Sequence, residues 1–261
     1  MTIVSKALSL KIVRALLFYV LLIAVWQAVT AAKIWPAYIF PGPGRVFDVF
    51  LGDMLSGAIP QAIVASMTRL IIGYVMSFVL GAIIGALLGT SELADDTLGS
   101  LVLGFQSLPS VTWLPLAILW FGLNQQAIIF VVFMGSIFSV AVSVRTGVRG
   151  IPPLLTRAAR TLGAGGWQLY RYVIIPGMLP TLIQGLKLGW AFAWRSLMAG
   201  ELLFVSIGIG QLLNTGRDLN NMAMVMSSML VIIIVGLAVD TLVFARMEGW
   251  VERRWGYAAA F

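Results

Sequence analysis

Residues 61–89 read QAIVASMTRLIIGYVMSFVLGAIIGALLG, with Arg69 as the one charged side chain in the run. An α-helix rises 1.5 Å per residue, so about 20 apolar residues cross a hydrocarbon layer of roughly 30 Å. This run exceeds that length. A chain inside a bilayer must satisfy its own backbone hydrogen bonds, which leaves helices or closed β-barrels. Barrel strands are short and alternate apolar with polar residues, and this run does neither. The fold class it predicts is all-α, in a polytopic membrane protein. Further apolar runs at 12–32, 98–121, 126–144, 181–203 and 222–245 bring the expected number of spanning helices to about six. Composition agrees: 60% of residues are hydrophobic and 10% charged, against about 25% charged in soluble domains.

The runs divide the chain. Residues 1–60 are expected to hold one transmembrane helix and an external turn at Pro41-Gly42-Pro43-Gly44, which cannot continue a helix. Residues 61–246 form a transmembrane core with a cytoplasmic loop at 145–180, and 247–261 form a cytoplasmic tail. The first apolar run lacks a small-residue cleavage pattern and is expected to stay as an anchor.

There is no cysteine and no histidine. That excludes disulfides, thiolate metal sites and cysteine nucleophiles, and removes the commonest general base and metal ligand. An enzymatic reading is weakened before any motif is considered. The net charge of +7 could suggest nucleic acid, but its distribution points to the bilayer. With the N-terminus inside, the cytoplasmic side receives Lys6, Lys11, Arg14, Arg145, Arg149, Arg157, Arg160, Arg171, Arg246, Arg253 and Arg254. The opposite side receives Lys33, Arg45 and Arg217. Lys and Arg hold loops in the cytoplasm, so both termini are expected there. The loop at 91–97 departs from the pattern, with Glu92, Asp95 and Asp96 and no cation.

Gly81, Gly85 and Gly89 recur at four-residue spacing and place bare backbone on one helix face, as do Gly185 and Gly189. Such a face admits a second helix at close range. Packing within the subunit and a seam between subunits both fit. Pro109 and Pro115 are expected to kink the third span.

The loop between the fourth and fifth runs is long for a connection, and long loops usually carry function. It opens Ile151-Pro152-Pro153, and proline at a helix start has no donor to lose. A short helix is expected from Pro153 to Leu162, ended by Gly163, Gly165 and Gly166. Leu155, Ala158, Ala159 and Leu162 share a face, with Arg157 and Arg160 elsewhere. A second amphipathic segment, 167–175, leads to Pro176, where the chain is expected to turn back into the membrane. Small alanines flanked by arginines suit insertion into a cleft on another protein. A helix resting on lipid headgroups fits the same residues.

Ala158-Ala159, three residues, Gly163, nine residues, then Val173-Ile174-Ile175-Pro176 resembles the cytoplasmic signature of permease subunits of bacterial ABC importers. In that family the stretch forms coupling helices that dock into ATPase subunits. The resemblance therefore implies ATPase coupling through Arg157, Ala158, Ala159, Gly163 and Pro176. Where the family usually has glutamate, this chain has Arg157. The resemblance runs from about Pro41 to Arg254. Phe105-Gln106-Ser107-Leu108-Pro109 and Leu114-Pro115-Leu116-Ala117-Ile118-Leu119-Trp120-Phe121-Gly122 resemble the branch handling nitrate, sulfonates, taurine or bicarbonate. So do Ser66, Arg69, Gly73, Ala199-Gly200-Glu201 and Gly208-Ile209-Gly210. Pro41-Gly42-Pro43 stands where that branch commonly has Pro-Ser-Pro. The branch also includes systems for pyrimidine vitamin precursors and aromatic sulfonates.

An ionisable group at mid-bilayer costs at least about 2.5 kcal/mol, so each calls for a partner or a function. The candidates are Arg69, Lys187, Arg195, Glu201 and Asp240. Lys187 lies near enough to a helix start to reach the interface, and Asp240, close to the cytoplasmic end of the last helix, is expected to pair locally or to cap. Arg69 and Arg195 have apolar neighbours on both sides and must face a cavity, a carboxylate or a subunit seam. Glu201 is about 9 Å along the axis from Arg195 and on another face, which disfavours a direct pair. Two readings stand: Arg195 lines an anion pathway while Glu201 near the outer mouth holds loop or gate groups, or Arg69 or Arg195 pairs with Glu201 for assembly.

No Gly-x-x-x-x-Gly-Lys-Ser/Thr occurs, so the chain cannot cradle ATP in a P-loop and no cofactor is expected in it. The resemblance implies ATP and Mg on two partner ATPase subunits, a second copy of the permease, an external solute-binding protein and a plasma-membrane location. It also implies alternating access driven by those ATPases. A passive channel or carrier with no ATPase partner is the alternative.

Overall fold

The computed structural model describes residues 2–203 and 206–255. The end of the expected tail, 256–261, lies outside the described residues, as do 204–205. The described residues are helices and connections: α1 (Thr2–Ala31), α2 (Pro43–Leu55), α3 (Ala58–Thr90), α4 (Glu92–Gln106), α5 (Ser110–Phe121), α6 (Gln125–Arg149), α7 (Pro153–Thr161), α8 (Ile175–Glu201), α9 (Ile209–Asp218) and α10 (Met222–Arg254). The described residues form two compact units, one within 1–60 and 212–231, the other within 61–211 and 232–261.

In the first unit the Pro/Gly stretch both turns and starts a helix. Trp26 donates from Nε1 to the Pro41 carbonyl at 3.1 Å, tying the turn to α1. The expectation of a plain turn is corrected at Pro43, the first residue of α2. Proline costs nothing at that position because its missing N–H has no intrahelical partner anyway. The spacing of Val46, Phe47, Phe50, Leu51 and Met54 carried the signal for this helix.

The second unit is built around α6. Gly73, Gly81, Gly85 and Gly89 of α3 all face it. A methyl group at Gly73 would lie 2.8 Å from Val132, at Gly81 2.7 Å from the Ile137 carbonyl, and at Gly89 2.7 Å from Val148. From the other side Gly185 and Gly189 of α8 meet Ser143 and Val140. Both glycine stripes thus pack within the subunit. Without a hydrophobic drive between helices in lipid, close van der Waals packing and interhelical hydrogen bonds hold such a bundle. Ser136 donates to Ser77 at 2.8 Å, and Ser77 reaches the carbonyls of Gly73 and Phe133, each at 2.8 Å. Leu70, Ile128, Val131, Val132, Ala193 and Leu197 form the buried centre.

The third span is broken rather than kinked. α4 and α5 meet at 99°, with Pro109 in the break at φ −57°, ψ 137°. Proline cannot donate to the preceding turn and its ring excludes the i−4 carbonyl. Pro115 sits in the first turn of its helical segment, where it disturbs nothing. The acidic loop also finds its reason. Asp95 pairs with Arg145 and, at 2.8 Å, with Arg149 of α6. The carboxylate neutralises cations at the end of α6, so a loop without Lys or Arg sits beside them.

At Pro176 the expected turn is absent. A wide helical turn over Tyr170–Ile174, in which the Ile175 N–H reaches the Tyr170 carbonyl, runs straight into α8. The extra residue in that turn accommodates a proline that lacks an N–H, as π-bulges do. α8 therefore starts before the expected position 181 and passes Pro180 in its interior. The last helix also runs on past 245 to Arg254, through a wide turn at Asp240–Phe244.

Among the described residues four helices are long and apolar enough to cross a bilayer, or five if the bent pair α4–α5 counts as one span. α8, with 27 residues, has the length but carries Lys187 and Arg195. With it the total agrees with about six.

Candidate translocation and coupling sites

Most of the expected coupling residues lie on α7 and its end. Pro153 starts it, and Gly163 ends it at φ +87°, a left-handed conformation that glycine adopts without steric cost. The Leu162, Gly163 and Ala164 N–H groups close on the carbonyls of Ala158, Arg160 and Ala159 at 3.1, 3.0 and 2.9 Å. Ile151 before the helix and Leu169 after it are buried and anchor the loop. Between the anchors the apolar side chains face out: Leu155 is 51% exposed and Leu162 88%. Ala158, Arg157 and Gly163 are exposed beside them, while Ala159 is half-buried. Pro176 lies apart from α7, at the base of α8.

Arg69 and Glu201 form one ion pair, with Arg69 Nη1 2.8 Å from Glu201 Oε1. They are 3% and 0% exposed, so the pair is sealed from solvent. Ser66 donates to both carboxylate oxygens at 2.7 and 2.8 Å, and the Gly210 N–H donates to Oε2 at 3.0 Å. The Ile209 N–H in turn donates to Ser66 Oγ at 2.9 Å. Glu201 ends α8, where the helix dipole repels a carboxylate, but the first N–H groups of α9 offset this. Gly208-Ile209-Gly210 wraps the side chain so tightly that a methyl group would lie 2.6 Å from the Glu201 carboxyl carbon at Gly208. At Gly210 it would lie 2.5 Å from Glu201 Cβ. Removing one partner from such a pair leaves an uncompensated buried charge.

Arg195 is elsewhere. It lines an open cavity of about 520 Å³ with Gln184, Lys187, Leu188, Trp190, Ala191, Trp194, Gly236 and Asp240. Among the described residues it forms no ion pair, and its guanidinium lies 6.0 Å from the centre of the Phe192 ring. Lys187, by contrast, sits between Asp240 at 3.2 Å and Glu248 at 3.4 Å. Asp240 thus pairs locally, as expected. The structure brings Arg69 and Glu201 together and leaves Arg195 separate. Sequence reasoning did not find the cavity wall, although Gln184, Lys187, Leu188, Ala191 and Arg195 share one helical face by their spacing. Nor did it find Ser66 as a ligand of Glu201.

The sequence matches the profile described as binding-protein-dependent transport system inner membrane component over residues 77–257. The chain belongs to this family. It is 33% identical over 238 residues to a riboflavin transport system permease protein of Chloroflexus aurantiacus, covering 90% of this chain and 87% of that one. A putative aliphatic sulfonates transport permease protein of Escherichia coli (strain K12) is 32% identical over 219 residues, 84% of this chain and 83% of the other. The taurine transport system permease protein of the same organism is 25% identical over 224 residues, 84% and 82%. The fold matches a methionine ABC transporter solved in inward facing conformations, with TM-score 0.65 and 20% identity over 74% of this chain and 96% of that one. This permease is therefore a multi-pass inner-membrane subunit of a binding-protein-dependent ABC importer, in the branch that includes the sulfonate and taurine permeases.

Proposed function

We propose that this permease translocates a small anionic solute, of the aliphatic sulfonate, taurine, nitrate or bicarbonate type, by alternating access. The supporting observation is Arg195, a permanently charged group within the 27-residue helix α8 that faces an open cavity and has no carboxylate partner among the described residues. A guanidinium there contributes positive potential to the path of an anion. Glu201, held by Arg69, Ser66 and Gly210, fixes the loop near the outer mouth and serves as part of the gate.

Energy enters through α7. Arg157, Ala158, Ala159 and Gly163 contact one of two ATPase subunits, with Pro176 setting the base of the lever, and ATP and Mg bind those subunits. A second copy of the permease completes the pathway, and an external solute-binding protein delivers the solute. Both termini lie in the cytoplasm, consistent with the Lys and Arg bias.

The test is uptake by proteoliposomes holding the permease with its ATPase and binding protein. Uptake of an alkyl sulfonate or nitrate should require ATP, and Arg195→Gln should abolish it while the complex still assembles. Equal uptake without the ATPase would favour a channel or passive carrier instead.

A further inference from the structure

One carboxylate ties three helices together beside α7. Of the three acids in the 91–97 loop, Glu92 and Asp96 are exposed, whereas the Asp95 side chain is 7% exposed. It sits between two arginines of α6. Arg145 faces both of its oxygens, with Nε against Oδ1 and Nη2 donating to Oδ2 at 2.7 Å, and Arg149 Nη1 lies 2.8 Å from Oδ2. Arg149 Nη2 also donates to the Leu88 carbonyl of α3 at 3.2 Å. Residues four apart on a helix share a face. Asp95 thus joins two successive turns of α6 to the start of α4, and Arg149 extends the joint to α3. Exposed ion pairs contribute little because water competes for them. This carboxylate is shielded, and a guanidinium meeting both oxygens fixes direction as well as distance.

The seat of Asp95 is specialised. It opens a five-residue wide turn, Asp95–Gly99, within α4. Such turns interrupt the regular helical ladder and recur at functional sites. A methyl group at Gly99 would lie 2.8 Å from Asp95 Oδ1, so the carboxylate rests on bare backbone. Val102 of α4, Leu88 of α3 and Ala141 of α6 form a small buried cluster nearby. The three helices therefore meet through both apolar packing and the ion cluster.

The flanking elements give the joint its direction. Gly150, Ile151 and Pro152 alone separate Arg149 from the start of α7. The Gly150 N–H donates to the Thr146 carbonyl at 2.8 Å, and Ile151 is buried beside Gly177, where a methyl group would lie 3.6 Å from it. A link so short and so held cannot absorb a displacement of α7. At its far end α4 stops at the Pro109 break, 99° from α5. Coupling between distant sites runs through packed elements and ion-pair networks of this kind.

We propose that Asp95 is a positioning residue for transport, which passes movement of α7 from the end of α6 into α4 and the break at Pro109. This rests on the reading of α7 as the ATPase contact and gives that contact a route to the broken span. Without the carboxylate, Arg145 and Arg149 repel each other and α4 loses the charged contact that makes it follow α6.

The test uses the complete complex in nanodiscs. The cysteine-free chain is spin-labelled before assembly at Leu154→Cys on α7 or Leu119→Cys on α5, both exposed sites. The readout is the change in the nitroxide spectrum when a non-hydrolysable ATP analogue is added, which requires no knowledge of the solute. Both labels should respond in the otherwise unaltered permease. Asp95→Asn should keep the α7 response and reduce the α5 response at least fivefold, and Arg145→Gln with Arg149→Gln should do the same. Ser136→Ala, which removes a buried hydrogen bond to Ser77 elsewhere on α6, should lower the unfolding midpoint and leave the α5 response intact. A full α5 response in Asp95→Asn would overturn the joint, as would an equal loss in Ser136→Ala, which would make the effect one of general loosening. No response at Leu154→Cys would sink the ATPase contact and the joint with it, whereas a response there with none at Leu119→Cys in the unaltered permease would sink the joint alone.

Discussion

At the scale of single residues, the Glu201 cage shows why a carboxylate and a guanidinium can both be kept inside a membrane protein. Each would cost several kcal/mol alone, and together with Ser66 and the Gly210 N–H they satisfy both carboxylate oxygens. Glu201→Ala should therefore destabilise the purified permease by about 3–5 kcal/mol, the cost of stranding a buried partner, read as a fall in the unfolding midpoint. Removing Arg69 together with Glu201, as Arg69→Met with Glu201→Gln, should recover part of that loss. Gly208→Ala should act through the same cage, because its methyl group would meet the Glu201 carboxyl group at 2.6 Å. A wild-type midpoint for Gly208→Ala would contradict the close approach. Glu201 and Arg69 were visible in the sequence as charges needing partners. Which cation Glu201 would take was not, because Arg69 and Arg195 look alike along the chain and only the orientation of α3 against α8 separates them.

At the scale of elements, glycine and proline do most of the shaping. Gly163 holds φ +87° at the end of α7, and a bulky residue there would cost about 1–2 kcal/mol of backbone strain. If α7 docks the ATPase as proposed, Gly163→Val should displace it, so that ATP is hydrolysed without transport or the ATPase fails to assemble. Normal coupling, measured as solute imported per ATP hydrolysed, would exclude a docking role for this cap. Gly85 lies against the Ala141 carbonyl and 2.7 Å from Val144 in the position its methyl group would take. Gly85→Leu should lower the unfolding midpoint, since overpacking costs about 1–3 kcal/mol, whereas Gly44→Ala, with nothing within 4 Å, should not. The start of α7 and its stop were legible because Pro152-Pro153 and Gly163 act locally. The passage through Pro176 was not, because a wide turn upstream absorbs the proline and leaves no mark in composition. α2 was missed because the Pro/Gly stretch before it reads first as a turn.

At the scale of the whole molecule, the distribution of Lys and Arg makes a topological prediction that the cysteine-free sequence renders easy to check. Single cysteines at Leu123→Cys, just before α6, and Leu162→Cys, at the end of α7, both exposed sites, should be labelled from opposite sides. A membrane-impermeant maleimide should reach Leu123→Cys from outside and Leu162→Cys only in inverted vesicles. The reverse pattern would invert the assigned orientation. Asp95 supports a common side for the 91–97 loop and the end of α6, since it joins Arg145 and Arg149 there. Hydropathy by itself determined the helical class and most of the spans, and proline and glycine the bounds of α7, because desolvation of the backbone in lipid and the conformational limits of those residues act over one helix length or less. The break at Pro109, the pairing of Glu201 with Arg69 and the tryptophan-walled cavity at Arg195 were decided only by tertiary structure. Each depends on which face one helix turns to another, and close packing through bare glycine backbone fixes that rotation only once the helices meet.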